Sequence, residues 1–405
     1  MAMLSPFELN IRHLRGFLAI QALGSLSAAA QALSLSQPAL TQGIVKLEKQ
    51  LGQVVFERRS DGMVLNDAGK LLAPRVAAAM ASLAQGVRAI GASAALAERR
   101  LAMAHLRACL AVVDGGGFAP ASERVGLSQP ALHRAVRELE ELLEKKLVER
   151  RGRGVHVNFA GRRFARHVRL AVHELHAAFA ELGLDPGNAT VAVGTTPLAR
   201  AFLTPEAMAT MVAEKFPAGF RVFEGSWGEL VELLRDGLID LIVGELPEHQ
   251  SPDLDKTPLY QEPMVIVAGR QHPLIRRRKV SLADLARYPW IVGPDVSPLR
   301  ARWEQLFPAD QRPAAPIECG SIMIIGRLLT SSDLLTLATP DQVALQIRSG
   351  LLARVGSALS DSDYTVGITQ RKSWRPTPAQ QRFIAALQQV SAAGREHAHV
   401  DPGWV

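Results

Sequence analysis

A chain of 405 residues with 48% hydrophobic content can bury several cores, which predicts a globular, soluble protein of two to four domains. The charge is uneven: residues 1–183 hold 24 Lys+Arg against 15 Asp+Glu, whereas residues 184–405 hold 22 against 24, so the basic half suits a polyanion. Only two cysteines, Cys109 and Cys319, argue against a disulfide framework and for a reducing compartment.

Residues 16–45 carry no charge, yet Gln21, Ser25, Ser27, Gln31, Ser36, Gln37 and Gln42, with Gly24 and Pro38 as breakers, make the stretch too polar and broken to cross a bilayer. No charged segment followed by an unbroken apolar run marks a secretory signal. The expectation is a cytoplasmic protein with no membrane partner.

Residues 13–69 recur as residues 105–161 with 23 identities in 57 aligned positions. A period of 92 residues is far longer than that of a solenoid and predicts a duplicated domain. In each copy an apolar stripe, Leu40, Ile44, Leu47 and Leu51 or Leu132, Val136, Leu139 and Leu143, marks one buried helix face. Ser36 and Ser128 are placed to cap that helix, with Pro38 and Pro130 in its first turn. The opposite face carries Pro38, Gln42, Val45 and Lys49 in one copy and Pro130, Arg134, Arg137 and Glu141 in the other, with Thr41 and His133 beside them. Upstream lie a turn and a short helix, which Ser27 would cap in the first copy where the second has Ala119, at a loss of about 1 kcal/mol. Downstream, FERRSDGMVLND and VERRGRGVHVNF read as two-stranded wings turning at Asp61-Gly62 and at Gly152 to Gly154. A helix presenting Gln, Thr, His or Arg at its first turns suits a major groove, and wing arginines suit phosphates.

The stretch from HLRGFLAIQALGSLSAAAQAL through SQPALTQGIVKLEKQLGQVVFERR resembles the winged helix-turn-helix of the LysR-type transcriptional regulators. The Ala-rich segment after it resembles that family's linker helix, which pairs subunits. The resemblance covers nearly the whole chain, but the family has one such unit, so the second is a departure. It implies base-reading roles for Gln37, Pro38, Thr41 and Gln42 and for Gln129, Pro130, His133 and Arg134, and backbone contacts from Arg58, Arg59, Arg150 and Arg151. Gln42 stands where the family commonly has Arg, and His133 where it has Ser or Thr, so the two copies should prefer different sequences.

A further amphipathic helix follows residue 161, and its Arg162, Arg163 and Arg166 serve either phosphate contacts or a solvated face. It runs toward a break at residues 185–188. From Thr190 the pattern alternates strand and helix: TVAVG, FRVFEG and DLIVGEL, then PMVIVAG, a second half, and YTVGITQR as a return strand before a helix near residues 380–390. This resembles the family's two-lobed, periplasmic-binding-protein-like α/β effector domain, with hinge crossings expected near residues 263–268 and 364–370. Thr195 and Thr196, read as a helix start after a strand, and Ser226 and Trp227 would receive a small organic, anionic effector. By position in the family, Gly293, Pro294 and Asp295, or Ser321 and Met323, would face them from the other lobe. Arg276 to Lys279 reads as a solvated loop, Cys109 as core packing, and Cys319 as packing or a redox sensor.

The expected organisation is α/β overall: a winged unit at 8–69, linker helix 70–100, a second winged unit at 101–160, linker 161–184, and an effector domain at 188–395. Its lobe I would span 188–263 and 368–395, and lobe II 264–367. The function expected is that of a sequence-specific regulator binding double-stranded DNA under effector control, as a homodimer or homotetramer. No nucleotide loop, nucleophile elbow or metalloprotease motif points to an enzyme, and neither a cofactor nor a metal site is expected. The alternatives are a cytoplasmic small-molecule-binding protein and an architectural DNA-binding protein with a vestigial sensor.

Overall fold

The structure is a computed structural model and describes residues 4–59, 62–93, 100–151, 154–184, 189–357, 359, 364–372 and 374–398. The chain divides into two compact units, Met1–Ala189 and Thr190–Val405.

The first unit runs through one element order twice. Helices α1 (Ile11–Leu23), α2 (Leu26–Ala32) and α3 (Gln37–Leu51) precede strands β1 (Phe56–Arg59) and β2 (Gly62–Leu65) and a long helix α4 (Asp67–Ala89). Then α5 (Met103–Gly115), α6 (Phe118–Val125), α7 (Gln129–Leu143), β3 (Val148–Arg151), β4 (Gly154–Val157) and α8 (Phe159–Glu181) repeat it. Both wings are antiparallel in the same register, Phe56 opposite Leu65 and Val148 opposite Val157. The expected wing-turn residues Asp61 and Gly152, and the break at 185–188, lie outside the described residues.

Local chemistry explains why each copy folds alike. The Ser36 and Ser128 hydroxyls accept the Ala39 and Ala131 N–H groups at 3.4 Å, capping α3 and α7. The stripe residues of both helices are at most 5% exposed. Asn66 and Asn158 cap the long helices by accepting the Gly69 and Gly161 N–H groups, and each donates back to a carbonyl before its wing, Val54 or Lys146. A Cβ at Gly69 or Gly161 would lie 2.2 Å from the carbonyl oxygen of Val55 or Leu147, so only glycine lets the helix start so close to the strand. The α2 cap differs from expectation: Ser25 caps Ala28, and Ser27 lies inside the helix. Its counterpart in the second copy is Gly117, without a side-chain cap. The loss is a few tenths of a kcal/mol rather than about 1, since glycine leaves the N–H groups open to water.

Helices α4 and α8 pack antiparallel against each other. Arg75, early in α4, meets Glu174 and Glu181 late in α8, while Gly86, late in α4, abuts His167 and Phe164 early in α8. Leu72, Val76, Ala79, Leu83 and Val87 face Phe164, Val168, Ala171, Leu175 and Phe179, all at most 4% exposed and all in one core with α1 and α5. The linker faces expected to pair subunits thus pair within one chain, because each copy supplies the same apolar stripe. The first linker helix ends at Ala89 rather than near residue 100.

The second unit contains β5 (Thr190–Thr195), α9 (Leu203–Ala213), β6 (Gly219–Glu224), α10 (Trp227–Arg235), β7 (Leu241–Glu245) and β8 (Leu254–Glu262). It continues through β9 (Val265–Gly269), α11 (Leu282–Leu285), β10 (Trp290–Val292), α12 (Pro298–Leu306), β11 (Ile317–Glu318) and α13 (Ile322–Thr330). It closes with β12 (Leu335–Ala338), α14 (Pro340–Arg348), β13 (Leu352–Arg354), β14 (Tyr364–Arg371) and α15 (Pro378–Ala398). The strands form two five-stranded sheets, ordered β6-β5-β7-β14-β8 and β11-β10-β12-β9-β13. The chain passes from the first sheet to the second at Pro263 and Met264, between β8 and β9. The return differs from expectation: β14 pairs with β8 from Tyr364 onward, so residues 364–370 already belong to the first lobe and the crossing lies upstream. Val366 and Ile368, buried in that sheet, fix the strand there.

Candidate nucleic-acid interface and interlobe cleft

On α3, Gln37, Pro38, Gln42, Val45 and Lys49 are exposed and Thr41 is half-buried, its hydroxyl donating back to the Gln37 carbonyl at 3.0 Å. On α7, Gln129, Pro130, His133, Arg134 and Arg137 are exposed. The apolar stripe turned inward leaves this row outward, as helical periodicity requires. The copies differ in how the row is held. His133 stacks on Phe118 of α6, ring centroids 3.6 Å apart and 17° from parallel, where the first copy has Thr41 and Leu26. That contact fixes the imidazole plane. Arg137 pairs with Glu141 at 3.0 Å along the helix.

Arg58 and Arg59 on β1 are exposed, Arg59 beside Glu57 at 3.2 Å. Arg150 and Arg151 occupy the same places on β3; their side chains lie outside the described residues. Arg162 donates to the Val157 carbonyl at 2.6 Å and Arg163 lies over the Phe159 ring, so both are folded back beside the second wing.

In the second unit, the carboxyl ends of β5 and β7 bring Thr196 and Glu245 together. Thr195 and Thr196 are 1% and 0% exposed. Thr195 bonds Thr204 at 3.0 Å, and the Thr196 hydroxyl donates to Glu245 Oε2 at 2.5 Å. Thr196 is not a helix start. Its carbonyl accepts the Ala199 and Arg200 N–H groups in a turn, and α9 begins only at Leu203. Ser226 does cap α10, but in a reciprocal box: it donates to Glu229 Oε2 at 2.8 Å and accepts the Glu229 N–H at 3.4 Å. Those bonds hold the Glu229 carboxyl below its ordinary pKa. Both places expected to receive an effector anion therefore already face a carboxyl group of the chain. Trp227 meets His249 edge-on at 5.2 Å and Lys256 at 5.7 Å.

The turn after Thr196 reaches the second lobe. Arg200 donates to the Gly320 carbonyl at 2.9 Å and pairs with Glu224 at 2.8 Å. Gln342, at the start of α14, donates to the Pro197 carbonyl at 3.1 Å. A Cβ on Gly320 would touch Pro294 at 3.5 Å, so Thr196, Arg200, Gly320 and Pro294 form one neighbourhood. Gly293 packs on Ser297, and Ser321 donates its N–H to Cys319 Sγ at 3.4 Å. Asp295 and Met323 are 85% and 76% exposed; the structure does not draw them into the cleft wall. Arg200, Glu245 and Gln342 were missed in the sequence, although a carboxylate ending an apolar strand, as in DLIVGE, is a usable signal. Burial pushes the Glu245 carboxyl above its ordinary pKa.

A second buried cluster sits where the chain crosses lobes. Glu262, the last residue of β8, is the register partner of Tyr364 and accepts that phenol's hydrogen bond. It also accepts the Asp341 N–H at 2.7 Å, and Tyr260 donates to Asp341 Oδ2 at 2.7 Å. Burial, reinforced by the Asp341 carboxylate, pushes Glu262 up to about 8. Cys109 is buried, its thiol pushed up to about 12 by desolvation, which makes it packing rather than chemistry. Among the described residues no group of three or more His, Cys, Asp or Glu could hold a metal, and no helix is long and apolar enough to cross a membrane.

The sequence profile described as "Bacterial regulatory helix-turn-helix protein, lysR family" matches residues 11–70 and again 103–162, and that described as "LysR substrate binding domain" matches 185–392. The "HTH-type transcriptional regulator GalR" of Pseudomonas putida is 30% identical over 387 residues, covering 94% of this chain and 97% of its own. The "HTH-type transcriptional regulator PcaQ" of Agrobacterium fabrum is 28% identical over 301 residues, covering 73% and 97%. Among solved structures, a full-length OxyR variant from Pseudomonas aeruginosa superposes with a TM-score of 0.58 at 20% identity, over 72% of this chain and 95% of that one. ArgP from Mycobacterium tuberculosis gives 0.57 at 18%, over 71% and 96%; these two carry the fold alone. The relatives are regulators rather than enzymes, and with both profiles and a full-length relative in agreement, this chain belongs to the LysR family of transcriptional regulators.

Proposed function

We propose that the two helix-turn-helix units are duplicated copies that both read DNA, and that a small organic effector bound between two periplasmic-binding-protein-like lobes controls the reading. The observation that carries this is the same capped, proline-started helix presented twice with its polar row exposed, on α3 and α7. Gln37, Pro38, Thr41 and Gln42, and Gln129, Pro130, His133 and Arg134, are assigned to base edges; Arg58, Arg59, Arg150 and Arg151 are assigned to phosphates. A match to GalR over 94% of the chain is too long to omit either copy. The effector is assigned to the neighbourhood of Thr196, Ser226, Trp227, Gly293, Pro294 and Ser321, and an anionic group on it would find Arg200 rather than the helix starts. Two chains carry four reading units, so a homodimer suffices for the long site that the family grips with four, and the protein acts in the cytoplasm, where its DNA lies.

The test is selection of bound duplex from a random pool, followed by titration at several salt concentrations. Affinity should fall steeply with salt. Arg58→Ala with Arg59→Ala should weaken binding on every sequence, whereas Gln42→Ala or Arg134→Ala should relax preference at one position by about 1–3 kcal/mol. Selected motifs that are identical for wild type and both recognition-helix variants would refute the assignment.

A further inference from the structure

The α4–α8 interface carries the DNA reading one step further, and the inference rests on that reading. The Arg75 guanidinium, 3% exposed, lies between the carboxylates of Glu174, at 3.0 Å, and Glu181. The repeat shows what any other pairing of these helices would contain. The positions 92 residues before Glu174 and Glu181 hold Ser82 and Ala89. A pair formed by the first linker helices of two chains would therefore bury Arg75 against a hydroxyl and a methyl group, an uncompensated charge taken out of water. A pair of second linker helices meets a different obstacle. Gly86 approaches so closely that a Cβ there would lie 2.8 Å from the Cβ of His167, and the residue 92 positions later is Ala178, which carries that Cβ. Charge opposes one like-with-like pair and contact opposes the other; the first-with-second pair satisfies both. The first copy adds a tie of its own, as Gln53, just before its wing, donates to the Leu182 carbonyl at the end of α8 at 2.9 Å.

We propose that each single chain is a complete and asymmetric reader of one pair of unlike half-sites on double-stranded DNA, needing no second copy to grip that pair, with two such pairs making up the long site of a homodimer, and that Arg75, Glu174, Glu181 and Gly86 are the residues that force its linker helices to pair first-with-second. The stripe that would otherwise join two chains is consumed inside one, so chains that assemble do so through other surfaces. Because Thr41-Gln42 and His133-Arg134 occupy the two reading rows, the half-sites differ in sequence and each pair has a direction.

The probe is a duplex selected from a random pool by the full-length protein and trimmed to about 25 base pairs, room for two half-sites one helical turn apart. Binding should saturate at one chain per duplex, whatever the oligomeric state of the chain, with both half-sites protected from hydroxyl-radical cleavage. Saturation at two chains per duplex overturns the inference while leaving DNA reading intact; no binding by the wild type overturns both. Arg75→Glu should weaken binding about ten-fold or more, and adding Glu174→Arg and Glu181→Arg to the same chain should recover most of it. Chains bearing Arg75→Glu refolded together with chains bearing Glu174→Arg and Glu181→Arg should stay weak. Recovery in that mixture shows pairing between chains and overturns the proposal, as does unchanged affinity of Arg75→Glu or failure of the same-chain triple variant to recover.

Discussion

Glu262→Gln should remove a pH dependence from the second unit. Wild-type Glu262, 6% exposed, has its carboxyl raised from its ordinary 4.5 to about 8, first by burial and then by Asp341. The folded state therefore favours the protonated form. The stabilisation is fully present below about pH 4.5 and is lost as pH rises through about 8. That displacement corresponds to about 5 kcal/mol between the two protonation states, and local relaxation around a buried charge reduces it, so about 2–5 kcal/mol is expected. Glutamine mimics the neutral acid: its oxygen can accept the Asp341 N–H and its amide can meet the Tyr364 hydroxyl. All five tryptophans lie in the second half of the sequence, and the enclosed Trp290 and Trp303 make fluorescence a report on urea unfolding of the second unit. Between about pH 6 and about pH 9 the wild-type midpoint should fall while that of Glu262→Gln stays nearly level. Parallel curves for the two proteins would show that Glu262 is not the group holding the proton.

The remaining expectations concern the cleft, a close approach and the thiols. Thr196→Val deletes the hydroxyl that donates to Glu245 and should weaken the response to any organic acid that calorimetry shows to bind, leaving effector-free DNA affinity within about two-fold; equal loss of both would indicate a folding defect instead. Gly161→Ala places a Cβ 2.2 Å from the Leu147 carbonyl and should cost about 2–4 kcal/mol in circular-dichroism unfolding, whereas Gly228→Ala, with open space around it, should be neutral or stabilising by about 0.5 kcal/mol. Similar effects from the two would discredit the contact argument. Maleimide should label Cys319, which is half-buried, and spare Cys109, fully enclosed with its thiol raised to about 12; rapid native labelling of Cys109 would contradict its packing role.

Much of the first unit was legible because its signals are local. A serine before a proline and a 4-3-4 apolar stripe fix a helix, its start and its buried face within 15 residues, and the exposed row of α3 and α7 follows by elimination. The repeat supplied an internal control, since a pattern kept at matching positions in two copies is constrained by the shared fold. The cleft was less legible. Thr196 follows a strand as expected, but whether a helix starts there depends on where its carbonyl and hydroxyl bond, and Glu245 takes that hydroxyl from 49 residues away in sequence. Ser226 does cap its helix, yet Glu229 occupies the donors that an effector was expected to use.

Sequence by itself indicated the twice-repeated helix, turn, helix and wing pattern and the alternating strands and helices of the second half, because each rests on short-range spacing of residue types, and the resemblance those residues carry indicated the family. Only the tertiary structure decided which surfaces meet. The partner of the linker stripe, the seat of Arg75 between Glu174 and Glu181, the placement of Tyr364 in the first lobe and the crowding of Glu262 with Asp341 all join residues dozens to a hundred positions apart. An apolar stripe states that a face must be buried but not against what, since hydrophobic burial is non-directional. The choice of partner is made by the few charges and close contacts that tolerate one neighbour and reject the rest.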